Sequence, residues 1–173
     1  PTIRPVDRPD GLVFTGGAVL TVDDAFTLHD PGWVHVVGDR IEAVGPGPAP
    51  APVVASAQRV IDTSGAVVMP GMVNGHTHLF QTFFRGLADD KPLLDWLRDC
   101  IWPGAVHLDP ASIRLAALVG LVENLRGGAT SVLDHQYIHV DPSLDDSLDD
   151  AVMSAAADVG VRVNAVAPSL ATH

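Results

Sequence analysis

The sequence predicts an α/β protein in which a small antiparallel β-sandwich unit precedes a parallel sheet covered by helices. Short runs rich in β-branched residues, separated by turns, fill residues 11–66. From residue 67 onwards, strands alternate with helices. The later strands are nearly continuous apolar runs, which are typical of parallel sheets with both faces covered. We therefore divide the chain into residues 1–66 and residues 67–173.

The first part contains three strand-like segments, at residues 12–22, 33–45 and 59–69. Val, Ile and Thr are frequent in these segments, and such residues fit a pleated, half-buried surface. Between them, GPGPAPAP at residues 45–52 alternates proline with glycine and alanine. Because proline cannot donate to a sheet ladder, we expect this segment to be a loop.

The second part reads as three strands joined by helical segments. Asp109 offers an N-cap and Pro110 suits the first turn of a helix that closes at Gly127. Only three β/α strands are present, and each needs parallel neighbours. We therefore expect either a piece of a longer protein or strands supplied by another chain. The elements are, in order, strand 72–78, helical stretch 92–102, helix 111–126, strand 129–135, helix 143–160 and strand 161–169.

Composition and charge exclude several classes of protein. Apolar residues make up 47% of the chain and charged residues 18%, as in packed globular proteins. Ten Lys and Arg against 21 Asp and Glu give a net charge of -11, which would repel nucleic acids and anionic membranes. The sequence contains no apolar run long enough to predict a membrane span, and its first residues lack the apolar core of a signal peptide. We therefore expect a cytoplasmic location. The single cysteine, Cys100, allows no internal disulfide.

Two histidines close the first strand of the second part. His76 and His78 are separated by one residue, so on a strand both imidazoles point to the same face, with Cα atoms about 7 Å apart. That separation allows both rings to reach one ion, and zinc commonly uses histidine ligands in open catalytic sites. The spacing alone is weak evidence, since two ordinary strand histidines would look the same. Asp134 and His135 stand at the same end of the next strand.

Three segments carry a resemblance to a known family. PGMVNGHTH at residues 70–78 resembles the histidine signature of the amidohydrolase superfamily. RGLADDKPLLDWL at residues 85–97 and LRGGATSVLDH at residues 125–135 resemble the branch that holds guanine-type and adenosine-type deaminases and triazine hydrolases. The resemblance implies a metal-dependent (β/α)8 TIM-type barrel preceded by a β-unit. This chain would then supply the first three β/α units of an incomplete barrel.

The same resemblance implies the chemistry. His76 and His78 would be the first two ligands of one zinc or iron ion, and the remaining ligands and the general acid/base would lie outside this chain. In such a site the metal lowers the pKa of a bound water, and the resulting hydroxide attacks an electron-poor ring carbon. The resemblance leaves a homo-oligomer open, because members of the family are often dimers or larger.

Three residues are candidates for contacts with a small heterocyclic substrate. Gln81 occupies the place where guanine-type and 8-oxoguanine-type deaminases carry a substrate-binding glutamine, although a loop glutamine is an equal alternative. His135 is either a substrate contact or a structural histidine, and Trp102 is the best aromatic candidate for the pocket. We expect Arg85 to pair with Asp89 or Asp90 and so to hold the loop.

These observations leave three functional hypotheses. The first is zinc-dependent hydrolysis of a carbon–nitrogen bond, most simply deamination of an 8-oxoguanine-like purine, which Gln81 favours. The second is an s-triazine amino- or chlorohydrolase of the same superfamily. The third, of a different class, is a catalytically inactive amidohydrolase-like fragment or scaffold.

Overall fold

The chain divides into two compact units between Pro70 and Gly71. The structure is a computed structural model, and it describes residues 11–138, 143 and 145–165. Each unit has its own sheets and its own buried residues. None of the helices in these described residues is long and apolar enough to cross a membrane.

The first unit contains a four-stranded sheet and a three-stranded sheet. The larger has the order β5-β4-β1-β6 and the smaller the order β3-β2-β7. Val13, Val19, Trp33 and Val34 are its buried apolar residues. The strands are β1 (Gly11–Thr15), β2 (Ala18–Leu20), β3 (Leu28–His29), β4 (Gly32–Val37), β5 (Arg40–Pro46), β6 (Arg59–Asp62) and β7 (Val67–Val68).

The prediction of a purely antiparallel first unit is wrong. β4 pairs antiparallel with both β1 and β5, but β6 lies parallel to β1, and β7 lies parallel to β2. The physical reason is the connection after β5. There, part of the predicted loop forms a short helix, α1 (Ala51–Ser56), preceded by Pro50. The chain thereby crosses to the other edge of the sheet and enters β6 in the direction of β1.

The second unit is built on a parallel sheet, as the sequence predicts. Its order is β10-β9-β8, with β8 at Met72–Thr77, β9 at Ala129–Asp134 and β10 at Arg162–Ala165. Gly71 is needed where β8 begins, because a Cβ there would overlap the side chain of Thr130. At Gly75, by contrast, a Cβ would meet no described atom within 4 Å. Of these two glycines, only Gly71 is therefore required by close packing.

Helical segments connect these strands. The longest is α4 (Pro110–Arg126), whose N-cap Asp109 accepts a hydrogen bond of 2.8 Å from the backbone N–H of Ser112. The chain leaves the helix at Gly127. Both helix ends therefore confirm the sequence prediction. The other segments are a 3-10 helix (Leu79–Phe84), α2 (Leu93–Trp96), a π-helical turn (Leu97–Ile101), α3 (Trp102–Ala105) and α5 (Asp145–Val159).

The core of the second unit lies where α4 and α5 pack against each other, with α4 also against β9 and α5 against β10. On α4 the fully buried members of this core are Ile113, Ala117 and Leu121, whereas Val119 is 42% exposed. The fully buried members include Leu79, Phe80, Ile113, Ala117, Leu121, Val132, Leu148 and Val152.

The helices of the described residues cover one face of the parallel sheet. Val132 is buried on that face, whereas Val73, which pairs with Ser131 and so points the other way, is 73% exposed. The sequence predicted that both faces would be covered. Residues 166–169 of the predicted third strand, together with His139 and His173, lie outside the described residues.

Candidate metal and substrate site

His76 and His78 lie together at the carboxyl end of β8. Their ring centroids are 5.2 Å apart and the rings are perpendicular. β8 ends at Thr77, and His78 precedes the 3-10 helix, so the second histidine stands where the strand turns into the following segment. This placement brings the two imidazoles close together at the end of the sheet, as their spacing predicts.

The residue that follows β9 sets the tautomer of His78. Its Nδ1 lies 2.8 Å from the backbone carbonyl oxygen of His135, and the N–H of His135 donates to the carbonyl of Thr77 over 2.9 Å. Because a carbonyl oxygen only accepts, Nδ1 carries the hydrogen in this bond. The neutral ring then presents the lone pair of Nε2, which is the arrangement found in histidines that ligate metals.

His135 completes a cluster of three imidazoles. Its ring centroid lies 5.4 Å from that of His78. It also lines a smaller cavity together with Gly75, His76 and Leu133. Among residues 11–138, 143 and 145–165, no three His, Cys, Asp or Glu side chains form a group that could hold an ion. The described residues therefore suit metal binding only in part: they offer two ligands, and a complete set would need more.

A buried carboxylate lies behind the histidines. Asp134 is 1% exposed, and its Oδ1 accepts a 2.8 Å hydrogen bond from the backbone N–H of Leu79. Its Oδ2 has no partner among the described residues. Burial raises the pKa of Asp134 to about 6, while the hydrogen bond from the N–H of Leu79 acts in the opposite direction. The hydrogen bond fastens the end of β9 to the segment that follows His78.

Gln81 is brought to the histidines by Tyr137. The Gln81 Nε2 donates to the Tyr137 hydroxyl over 2.7 Å. The Tyr137 ring lies edge-on to His78 at 5.2 Å and to Phe80 at 4.9 Å. Burial raises the pKa of Tyr137, so the hydroxyl stays protonated near neutral pH. Sequence analysis could not single out this tyrosine, because no motif surrounds it and its partner is 56 residues away.

An open cavity of about 720 Å³ lies beside the histidine pair. Its lining includes His76, His78 and Gln81, and Trp96 lines it as well. Trp102, the aromatic residue that the sequence favoured, lies on α3, is 52% exposed and is not among the described residues that line this cavity. A role for Trp102 in substrate binding stays a prediction.

The loop after the 3-10 helix is held by an ion pair other than the one that the sequence predicted. Arg85 forms a two-pronged ion pair with Glu123 of α4, with both N–O distances 2.7 Å. The predicted pairing of Arg85 with Asp89 or Asp90 is therefore wrong. The reason is tertiary, because α4 brings a carboxylate to the guanidinium that is 38 residues distant in the chain.

Comparison with known proteins then decides the family. A profile of the amidohydrolase family matches residues 67–173, which is more than half of the chain. The chain belongs to the amidohydrolase family. The match begins just before β8 and covers the histidine pair, the parallel sheet and the helices between its strands.

Two curated members of the amidohydrolase family show how far the likeness extends. The 5-methylthioadenosine/S-adenosylhomocysteine deaminase of Nitratidesulfovibrio vulgaris is 41% identical over 131 residues, which are 76% of this chain and 30% of that protein. The protein of the same name from Halobacterium salinarum is 41% identical over 152 residues, which are 88% of this chain and 33% of that protein. The chain thus spans about a third of the length of these relatives.

Solved structures of similar proteins agree on the fold. A triazine hydrolase variant matches 91% of this chain with a TM-score of 0.81 and 28% identity, and the match covers 35% of that structure. An adenosine deaminase from Xanthomonas campestris with bound zinc matches 90% of this chain with a TM-score of 0.74 and 29% identity, over 33% of that structure. The mixed α/β fold is therefore one that enzymes of this family share.

Proposed function

We propose that the whole protein hydrolyses a carbon–nitrogen bond of a nitrogen heterocycle, and that it deaminates a 6-aminopurine nucleoside. The observation that carries the proposal is the meeting of His76, His78 and His135 at the carboxyl end of the parallel sheet. In α/β barrels this end bears the chemistry. We propose accordingly that β8, β9 and β10 are the first three strands of a (β/α)8 barrel.

His76 and His78 would hold one metal ion. Zinc is the first choice, because an adenosine deaminase and a triazine hydrolase of similar fold were crystallised with zinc. When bound, the metal would supply the Lewis acidity that makes a water nucleophilic near neutral pH. The hydrogen bond to the His135 carbonyl keeps His78 in the tautomer whose Nε2 is available. The remaining ligands and the general acid/base are proposed to lie outside this chain.

Gln81 would contact the heterocycle from the side of Tyr137. Its bond to the phenol uses one N–H of the amide, which leaves Oε1 and the second N–H for a ligand. One acceptor beside one donor suits both an aminopurine edge and a lactam edge. Gln81 therefore does not by itself favour an 8-oxoguanine-like purine. The aminopurine nucleoside is preferred because two relatives with 41% identity are named as 5-methylthioadenosine/S-adenosylhomocysteine deaminases.

Triazine hydrolysis is the second candidate. It is supported by the match to a triazine hydrolase variant over 91% of this chain. At 28% identity, that likeness reports on the fold more than on the substrate pocket. Release of ammonia from aminopurine nucleosides and from 8-oxoguanine, and release of chloride or alkylamine from atrazine, each measured with the zinc-loaded whole protein, separate the two candidates from each other and from an inactive scaffold.

Replacing the second histidine tests the metal assignment. We expect His78→Ala in the whole protein to abolish turnover and to lower bound zinc, because a metal site of this type does not survive the loss of a ligand. Zinc content by mass spectrometry and ammonia release are the measurements.

His107→Ala is the matched control. His107 follows α3, is exposed and makes no contact with the histidine cluster among the described residues. This variant should keep both zinc and turnover. Full zinc content and full activity in His78→Ala would contradict the ligand assignment.

A further inference from the structure

A chain of side-chain hydrogen bonds joins β8 to α4 next to the first histidine. The Asn74 Nδ2 donates to the Asn124 Oδ1 over 2.8 Å, and the Asn124 Nδ2 donates to the carbonyl of Gly120 over 2.8 Å. The Asn74 Oδ1 in turn accepts the backbone N–H of His76 over 3.1 Å. Both asparagines are half-buried. We call Asn74 and Asn124 the asparagine relay.

The relay spans an irregularity in the strand that carries His76. Asn74 is opposite Val132 and Thr77 is opposite Asp134, so three steps along β8 correspond to two along β9. Such a bulge adds a residue on one strand, bends it and changes the direction of its side chains. His76 lies inside this segment, and its N–H is held by a side chain of its own strand. The direction of the His76 ring therefore depends on a stretch of backbone that regular pairing does not fix.

The amide side chains of Asn74 and Asn124 are suited to holding the backbone of His76. A primary amide carries an acceptor and a donor on one planar group, so Asn74 can hold the N–H of His76 and reach α4 at the same time. Asn124 passes the attachment on to a carbonyl inside α4. Aspartate at position 74 would lack the donor, and alanine would lack both groups.

We propose that the asparagine relay positions His76 for metal binding, so that α4 controls the first ligand through β8. The inference rests on the proposed function, in which His76 and His78 hold the metal. Asn74 and Asn124 are positioning residues, since they act through the backbone of His76.

The test combines two measurements on the whole protein. The first is hydrogen–deuterium exchange at the His76 amide of the metal-free protein, resolved by fragmentation of the peptide that contains it. The second is the zinc dissociation constant, obtained by competition with a chelator. Asn74→Ala is expected to speed exchange at His76 and to weaken zinc binding about tenfold or more, the usual effect of losing a residue that orients a ligand.

Asn124→Ala checks the effect from the other end of the relay. This variant keeps the Asn74 side chain but removes the Asn124 amide to which it is bonded. We therefore expect a smaller rise in the exchange rate at His76 and a smaller loss of zinc affinity than in Asn74→Ala. The double variant should be no worse than Asn74→Ala, because residues that act through one chain of bonds are not additive. Near-ultraviolet circular dichroism of each variant establishes that it is folded.

Glu123→Gln is the matched control. It breaks the ion pair with Arg85 on the same turn of α4 but leaves the relay intact. The exchange rate of the His76 amide should stay at its wild-type value. If Glu123→Gln accelerates exchange as much as Asn124→Ala does, general loosening of α4 is responsible and the inference fails.

The remaining outcomes separate this inference from the proposed function. If Asn74→Ala binds zinc as tightly as the wild type, whether or not exchange at His76 changes, the relay does not position His76 for the metal. That result leaves the proposed function untouched. Absence of zinc binding in the wild-type protein, or unchanged binding in His78→Ala, contradicts the proposed function and the inference with it.

Discussion

At the scale of single residues, the site is organised by partners from distant parts of the chain. The backbone carbonyl of His135, just after β9, selects the tautomer of His78, and Tyr137 orients Gln81. Asp134 fastens the backbone between them through the N–H of Leu79. The histidines and the glutamine could be singled out from the sequence, because motifs and spacing mark them. Tyr137 could not, since its importance comes from contacts with His78, Phe80 and Gln81, which lie far from it in the chain.

Tyr137→Phe tests the orientation of Gln81. The change keeps the ring beside His78 but removes the hydroxyl that accepts from Gln81. Losing one neutral hydrogen bond costs about 1 kcal/mol, so we expect KM for the best substrate to rise about fivefold. Zinc affinity should not change. Steady-state kinetics and zinc titration of the whole protein measure both quantities.

A second variant tests whether Tyr137 acts through Gln81. Gln81→Ala should raise KM similarly, and the double variant should be little worse than either single one, because both remove the same interaction. Fully additive effects, or an unchanged KM in Tyr137→Phe, would show that the bond does not orient the substrate.

At the scale of elements, local signals determine where α4 begins and ends. Asp109, Pro110 and Gly127 have the roles that their residue types predict. The β-unit is different. The strands lie near their predicted positions, but β6 and β7 pair in parallel, because a crossover through α1 moves the chain to another edge. Strand direction depends on the path between strands, which composition does not specify.

The cap of α4 makes stability depend on pH. Hydrogen bonds from the side chain and the backbone N–H of Ser112 lower the pKa of Asp109 below its ordinary value of 3.8. A carboxyl group with a lowered folded-state pKa contributes stability that is present above its unfolded value and is lost as the pH falls through the folded value. Asp109→Ala should therefore lower the melting temperature at pH 7, with a difference that shrinks below pH 3.8.

Asp109→Asn serves as the conservative comparison. Asparagine caps helices about as well as aspartate does, so this variant should melt close to the wild type at pH 7. Thermal unfolding of all three proteins between acid and neutral pH is the measurement. A wild-type melting temperature for Asp109→Ala at pH 7 would show that the cap does not stabilise α4.

At the scale of the whole molecule, the parallel sheet decides what the histidines can do. Because β8 and β9 run in the same direction, their carboxyl ends meet, and His76, His78 and His135 converge although the last lies 57 residues beyond His78. The exposed face of β8, where Val73 lies, is the side on which a barrel would place its remaining strands. The whole protein is therefore the right object for functional tests.

Metal removal should lower the stability of the whole protein. A ligand that binds only the folded state stabilises it by about 2.7 kcal/mol at a free concentration of 100 times its dissociation constant. We expect zinc to raise the melting temperature of the chelator-treated wild type and to have much less effect on His78→Ala. Differential scanning calorimetry measures both shifts, and equal shifts in the two proteins would contradict zinc binding at this site.

Four features could be predicted from the chain alone: the α/β class, the order of strands and helices in the second unit, both ends of α4 and the histidine pair. These features depend on residue type, periodicity and spacing within a few residues, which the sequence displays directly. Four others depend on the folded chain: the parallel pairing in the first unit, the ion pair of Arg85 with Glu123, the hydrogen bond of Gln81 with Tyr137 and the asparagine relay. Each of these joins residues 38 to 56 positions apart. Such pairs form only when complete elements pack against each other, so no local pattern in the chain predicts them.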